Sequence, residues 1–253
     1  MLAHAWNTIM SRRRWEAVVF DVDGTLVDSE RDGHRVAFNA AFAASGLPYR
    51  WDAEEYGQLL GVTGGRRRLA AFLEDRGHDA REAAALAARL HRAKTGRMRE
   101  LVGRGAIAPR PGVTELLAEL AGARVTLGVA TTGSRDWVEP LLARLFGPGL
   151  FAVVVTGSEV AALKPDPAVY TEALSRLSVP AGRALAVEDS GNGLRAALAA
   201  GVGCVVVTND YTRDQDFSGA AAVYPSVATC LADRSGPLLG GVSRLAGSRR
   251  DGE

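Results

Sequence analysis

Short apolar runs punctuate this chain, each giving way to a polar turn and then to a stretch with helical spacing of its apolar residues. The runs are Ala17-Val18-Val19-Phe20, Val125-Thr126-Leu127-Gly128-Val129-Ala130, Phe151-Ala152-Val153-Val154-Val155, Ala184-Leu185-Ala186-Val187 and Cys204-Val205-Val206-Val207-Thr208. They are continuously apolar rather than alternating, which is the pattern of strands covered on both faces, and this predicts a parallel sheet. Helix starts fall after them at Ser134, at Asp166 with Pro167 in the first turn, and at Ser190, whose helix ends at Gly201. Right-handed crossovers then give an α/β fold, a doubly wound Rossmann-like parallel sheet.

One interval breaks the alternation. Between the first run and the second lie helical patterns near residues 32–45, 52–60, 66–76 and 79–102, the last with Asp79 as its N-cap, and no β run. Pro109-Arg110-Pro111-Gly112 closes the block, and connectors are expected at 27–31 and 106–112. The predicted organisation is a core of residues 15–27 and 108–233, an inserted helical cap of 28–107, a floppy leader of 1–14 and a disordered Gly/Ser/Arg-rich tail of 234–253.

Composition narrows the class. A chain of 253 residues that is 47% hydrophobic and 23% charged can bury a large core, and its net charge of +1 supplies no general field for nucleic acid or an anionic membrane. No apolar stretch approaches the roughly 20 residues that span a bilayer. Cys204 and Cys230 form no metal-ligand pattern and are expected to be buried thiols. A cytoplasmic monomer acting on a small molecule is therefore expected, with no nucleic-acid or membrane partner.

Ligands of open parallel sheets bind beyond the carboxyl ends of the strands. There the runs lead into Asp21-Val22-Asp23-Gly24-Thr25, Thr131-Thr132-Gly133-Ser134, Lys164-Pro165 and Glu188-Asp189. The carboxylates of Asp21, Asp23, Glu188 and Asp189 cannot crowd together beside an anionic phosphate without a cation, and oxygen-only ligands select a hard ion, Mg²⁺. Asp21 is then the candidate nucleophile and Asp23, two residues on, the acid and base. Thr131 and Thr132 offer hydroxyl and amide groups to phosphoryl oxygens, and Lys164 adds positive charge. Only Lys94 and Lys164 are lysine among the 30 Lys+Arg residues, which suggests that a compact ammonium is needed at position 164. In the cap, Thr63-Gly64-Gly65 before Arg66 could clamp a second phosphate, or Arg66 could belong to a solvated helix face with Arg67 and Arg68. His34 and Arg35 stand near the hinge, where they could touch substrate or serve packing.

These motifs, in this order on successive strand ends, resemble those of the haloacid dehalogenase superfamily over about residues 15–230, and the insert resembles its C1-type cap. Val27 to Asn39, Val62-Thr63-Gly64-Gly65-Arg66 and Tyr211 to Ala220 are similar to the CbbY-type phosphatases, with Arg66 where that group would have lysine. The resemblance implies a Mg²⁺-dependent phosphatase working through an aspartyl-phosphate on Asp21. Its implied substrate is xylulose-1,5-bisphosphate, an inhibitory misfire product of Rubisco. A β-phosphoglucomutase-like mutase or a broader sugar-phosphate phosphatase shares the same motifs.

Overall fold

The structure, a computed structural model, describes residues 15–240 and 242; the expected leader of 1–14 and most of the expected tail lie outside the described residues. Six parallel strands form one sheet in the order β3-β2-β1-β4-β5-β6. They are β1 (Ala17–Phe20), β2 (Thr126–Ala130), β3 (Val153–Val155), β4 (Ala184–Glu188), β5 (Gly203–Val207) and β6 (Ala222–Tyr224). Each of the five apolar runs forms a strand, with bounds that agree to within two residues. The last strand was not anticipated. It is three residues long at the sheet edge, the run it belongs to, Ala220 to Tyr224, is mostly alanine, and Val223 is exposed.

From β1 the chain winds outward through β2 and β3, then returns to the far side of β1 as β4. This reversal puts a topological switch point between β1 and its neighbours, where a crevice opens at the carboxyl edge. Apolar layers cover both faces. Phe20, Leu127, Trp137 and Val205 belong to one, and Val19, Tyr170, Ala186 and Val206 to the other.

The insertion is helical as expected. A π-helical turn, Glu30–His34, runs directly into α1 (Arg35–Ala44), followed by α2 (Ala53–Leu59), α3 (Gly65–Asp75) and α4 (Ala80–Gly103). Asp79 caps α4 by accepting from the Arg81 and Glu82 amides. The cap has its own core of Phe38, Phe42, Trp51, Tyr56, Leu69, Phe72 and Leu90, whose rings meet tilted or edge-on, as Trp51 does with Phe42 and Phe72. Val27 and Pro109 pair at the two connectors. There the buried Arg110 donates to the carbonyls of Gly24, Val207 and Thr208, pinning the hinge to the end of β5.

Back in the core, α5 (Val113–Gly122), α6 (Arg135–Phe146), α7 (Ala168–Leu177), α8 (Gly191–Ala199) and α9 (Val227–Ala232) connect or flank the strands. Residues 234–240 and 242 correct the expectation of a disordered tail. Leu238, Leu239 and Val242 are buried in the main core, and Trp15 donates to the Pro237 carbonyl at 2.6 Å. Composition hid three apolar side chains among glycines and arginines. Among the described residues no helix is long and apolar enough to cross a membrane.

Candidate active site

Asp21 leaves β1 at the centre of the carboxyl edge, with its amide still donating to the Val187 carbonyl at 3.0 Å. Glu188 and Asp189 end the adjacent β4, so one oxygen from each of Asp21, Glu188 and Asp189 lies within 4.8 Å of the others. Lys164, buried to 3% exposure, donates to Asp21 Oδ1 and Glu188 Oε1, both at 2.6 Å, and to the Ala130 carbonyl at 2.8 Å. Every proton of its ammonium is thus used. Tyr170 adds a hydroxyl donor to Glu188 Oε1 at 2.7 Å.

Glycine makes this crowding feasible at two positions. A Cβ on Gly24 would run into the Asp189 carboxylate, and φ of +81° there suits glycine alone; a Cβ on Gly193 would run into the Glu188 carboxylate. The glycine of Asp-x-Asp-Gly-Thr therefore does more than turn the chain.

The electrostatics are unbalanced without a further cation. Three carboxylates face one ammonium, and a pair of charges at this spacing repels by roughly 3 kcal/mol at an effective dielectric of about 20. Burial pushes the Asp21 carboxyl well up; Lys164 pulls it back only in part, while Glu188 and Asp189 add to the rise. Asp189 is likewise pushed up by burial and then by Glu188, against the Asn209 amide and Arg110. Lys164 moves upward in spite of its burial because Asp21 and Glu188 hold its proton. An all-oxygen donor set in which two members resist ionisation fits a hard divalent ion.

Asp23 stands apart from this group, which corrects its expected place among the metal-ligand side chains. Its Oδ1 accepts from the Ser29 hydroxyl and lies 2.8 Å from His34 Nε2. Burial pushes the Asp23 carboxyl up, but His34, Ser29 and Lys94 together bring it below its ordinary value. His34 is thereby in the site through Asp23, with its ring edge-on to Trp137. The π turn explains how Ser29 and His34 share one oxygen. Five residues apart, they would point about 140° apart on an α-helix, whereas a π turn stacks them.

Two neighbouring cavities with shared walls lie between core and cap. One, about 380 Å³, is lined by Asp21, Asp23, Lys164, Asp189, Thr63, Gly64 and Thr132, with Glu30, Arg68 and Tyr211 among the other walls. The second, about 640 Å³, shares Asp23, Gly64 and Thr132 and adds Gly65, Arg66, His91 and Lys94. Arg35 lines neither. Thr131 is fully buried and its Oγ1 accepts from the Gly133 amide at 3.0 Å, so Thr132 is the cavity-facing member of the pair. Thr63 Oγ1 accepts from Asn192 Nδ2 at 2.8 Å, a direct bond from cap to core.

Sequence reasoning missed Tyr170, Asn209, Glu30, His91 and Lys94, and its solvated face for Arg68 is corrected: Arg68 is buried and donates to the Leu59 carbonyl and the Tyr56 hydroxyl. Lysine scarcity was the usable signal for Lys94: both lysines of the chain are buried at this cleft, and every other Lys/Arg position is arginine.

A family model for haloacid dehalogenase-like hydrolases matches residues 15–201. The chain belongs to this family. Protein CbbY of Cereibacter sphaeroides is 48% identical to this hydrolase over 217 residues, spanning 84% of this chain and 93% of that protein. Validoxylamine A 7'-phosphate phosphatase of Streptomyces hygroscopicus subsp. limoneus is 32% identical, spanning 79% and 89%. The crystal structure of CbbY from Rhodobacter sphaeroides in complex with phosphate is similar at a TM-score of 0.79 and 45% identity, covering 90% of this chain and 99% of that one. A mutant of that protein in complex with xylulose-(1,5)bisphosphate matches at 0.79 and 44%. This haloacid dehalogenase-like hydrolase is of the CbbY type, and it is a phosphatase.

Proposed function

We propose that the enzyme hydrolyses a sugar bisphosphate with Mg²⁺ as cofactor, xylulose-1,5-bisphosphate being the leading candidate, through an aspartyl-phosphate on Asp21. The observation that carries this reading is one cleft with two opposite ends. The core end gathers Asp21, Lys164, Glu188 and Asp189, and the cap end, reached past Asp23 and Thr132, carries Arg66 and Lys94. With a divalent cation at the carboxylates, both ends attract phosphate, which suits a metabolite with two of them, and a CbbY relative has been crystallised with such a molecule.

Asp21, Asp189 and Glu188 would hold the ion, whose chemistry is to screen the carboxylates from the phosphate and polarise the phosphoryl group. The chain's own residues do the rest. An Asp21 oxygen attacks phosphorus while the bond from phosphorus to the sugar oxygen breaks, and Asp23 gives that oxygen a proton. Water then attacks the aspartyl-phosphate, Asp23 takes its proton, and Asp21 and phosphate are released. In the free protein Asp23 is held ionised by His34 and Ser29. A phosphate dianion arriving beside it favours protonation, so the acid is armed by substrate. Thr132, on the wall of the cavity that holds Asp21, would meet the transferring phosphoryl oxygens.

Phosphate release from xylulose-1,5-bisphosphate, ribulose-1,5-bisphosphate and hexose phosphates tests the reading. EDTA is expected to stop turnover and Mg²⁺ to restore it; hydrolysis that persists without metal would contradict the site. Conversion of a hexose 1-phosphate primed with bisphosphate, with no phosphate released, would establish a mutase instead.

The cap end makes a second prediction. Arg66→Ala is expected to raise KM for a bisphosphate about tenfold and leave KM for a monophosphate nearly unchanged, since charge-assisted bonds to the distal phosphate are each worth about 1.5–3 kcal/mol at most. Lys94 adds a pH signature. Burial lowers its ammonium to about 8 against the pull of Asp23 and Glu30. A lysine is charged below its pKa, so kcat/KM for a bisphosphate should fall as pH rises through about 8, and Lys94→Met should lack that limb.

A further inference from the structure

Three consecutive residues of the loop after β5 touch three separate parts of the machinery. Asn209 Nδ2 donates to Asp189 Oδ2 at 2.7 Å and to the Gly24 carbonyl at 3.3 Å. Its Oδ1 accepts from the Tyr211 amide at 2.9 Å, and its own amide donates to Thr212 Oγ1 at 3.1 Å. Partners on both ends of the side chain fix which way the amide points. Asp210 Oδ2 accepts from Arg31 of the π turn at 2.5 Å. The Tyr211 ring packs edge-on to Tyr56 of the cap at 6.2 Å between centroids and lies against Gly57, where a Cβ would come within 2.9 Å of the ring.

We propose that Asn209 to Tyr211 form a positioning segment that couples the placement of Asp189 to the docking of the cap. Asp189 sits in a group of like charges and is repelled by Glu188, so its carboxylate stays in the group only if something holds it there. The Asn209 amide does so. That amide is in turn held by the loop geometry that seats Tyr211 on the cap, because the Tyr211 backbone is its acceptor-side partner. Docking of the cap therefore presets the carboxylates for a cation, and a bound cation favours docking by the same factor. Nothing in the phosphoryl-transfer motifs requires an asparagine or a tyrosine at these positions. Gly57, on the cap, is the complementary feature: it leaves room for one ring from the core. The exposed pair of Arg31 and Asp210 is weak by itself and serves to keep the loop in register.

The inference rests on the Mg²⁺ reading, and calorimetric titration of the full chain with Mg²⁺ alone, without substrate, tests the two separately. Wild type is expected to bind; if it does not, the cofactor reading falls and this inference with it. With wild-type binding established, Asn209→Ala should raise the Mg²⁺ Kd about tenfold, as loss of a partner orienting a metal ligand typically does. Tyr211→Ala and the cap substitution Gly57→Ala should each raise it about fivefold. A purely structural role would lower the melting temperature of the metal-free protein. Here the metal-free value should hold while the Mg²⁺-induced rise in Tm shrinks, and saturating Mg²⁺ should restore kcat in Asn209→Ala. An unchanged Kd in Asn209→Ala overturns the positioning role. A raised Kd in Asn209→Ala with unchanged values in both Tyr211→Ala and Gly57→Ala overturns the coupling.

Discussion

Asp21→Asn is expected to reduce phosphate release by on the order of 10⁴-fold or more, the scale seen when a covalent nucleophile is removed. The amide is nearly isosteric but has no anionic oxygen to attack phosphorus, and no neighbour can substitute. Glu188 is fully buried with Oε1 shared by Lys164 and Tyr170, Asp189 is tied to Asn209, and Asp23 to His34 and Ser29. The fold should survive. Lys164 keeps Glu188 and the Ala130 carbonyl as partners, and one of the three crowded carboxylates is gone, so the repulsion that raises Asp21 and Asp189 is relieved. The metal-free melting temperature should therefore equal or exceed that of wild type, while Mg²⁺ affinity falls because a ligand has lost its charge. Residual turnover above about 1% of wild type, with correct folding shown by circular dichroism, would remove Asp21 from the role of nucleophile.

That the core of this site was legible in the sequence has a physical cause. In a doubly wound sheet the strand ends are both the places where continuous apolar runs stop and the places where ligands bind. Asp21, Thr131, Glu188 and Asp189 are therefore marked by their own neighbours in the chain, and Lys164 by its proline and by the scarcity of lysine. The cap helices were legible for a similar reason, since helical periodicity and a cap such as Asp79 are local signals. What escaped depends on contacts between distant segments. Tyr170 lies on α7 at an apolar position, and only packing shows that its hydroxyl meets Glu188. Asn209 sits in a loop that looks like any polar turn until Asp189 is placed beside it. The side chain of Asp23 was expected to share the cation, but the π turn, which no hydrophobic pattern announces, presents Ser29 and His34 to it instead. Tail residues 234–240 and 242 failed in the opposite sense. Their polar composition outweighed Leu238, Leu239 and Val242, which are enough to dock the segment on the core.

Lys164→Met should show most directly that charge balance at this edge is both a stability problem and a catalytic device. Removing one partner of a buried ion pair costs about 3–5 kcal/mol because the other charge is left uncompensated. For a chain of this size that lowers the metal-free Tm by roughly 6–20 °C, at about 2–4 °C per kcal/mol. The loss should shrink as pH falls. Asp21 is already raised by burial, and without Lys164 it rises further, so mild acid neutralises it and removes the unpaired charge. Mg²⁺ should also recover part of the stability, since a divalent ion takes over the neutralisation, and its stabilising effect should be larger in Lys164→Met than in wild type. Turnover should nonetheless fall on the order of 10³-fold at saturating Mg²⁺, because Asp21 then has no ammonium to hold it for the transfer and Glu188 keeps only the Tyr170 hydroxyl. Arginine is not expected to rescue it. The ammonium reaches two carboxylates and the Ala130 carbonyl from a single point, 5.1 Å from the centre of the Tyr170 ring, where a planar guanidinium with its fixed fork has neither the directions nor the room. Wild-type activity in Lys164→Arg, or an unchanged metal-free Tm in Lys164→Met, would mean that the two lysines of an arginine-writing chain are at this cleft for some reason other than the compactness of their charge.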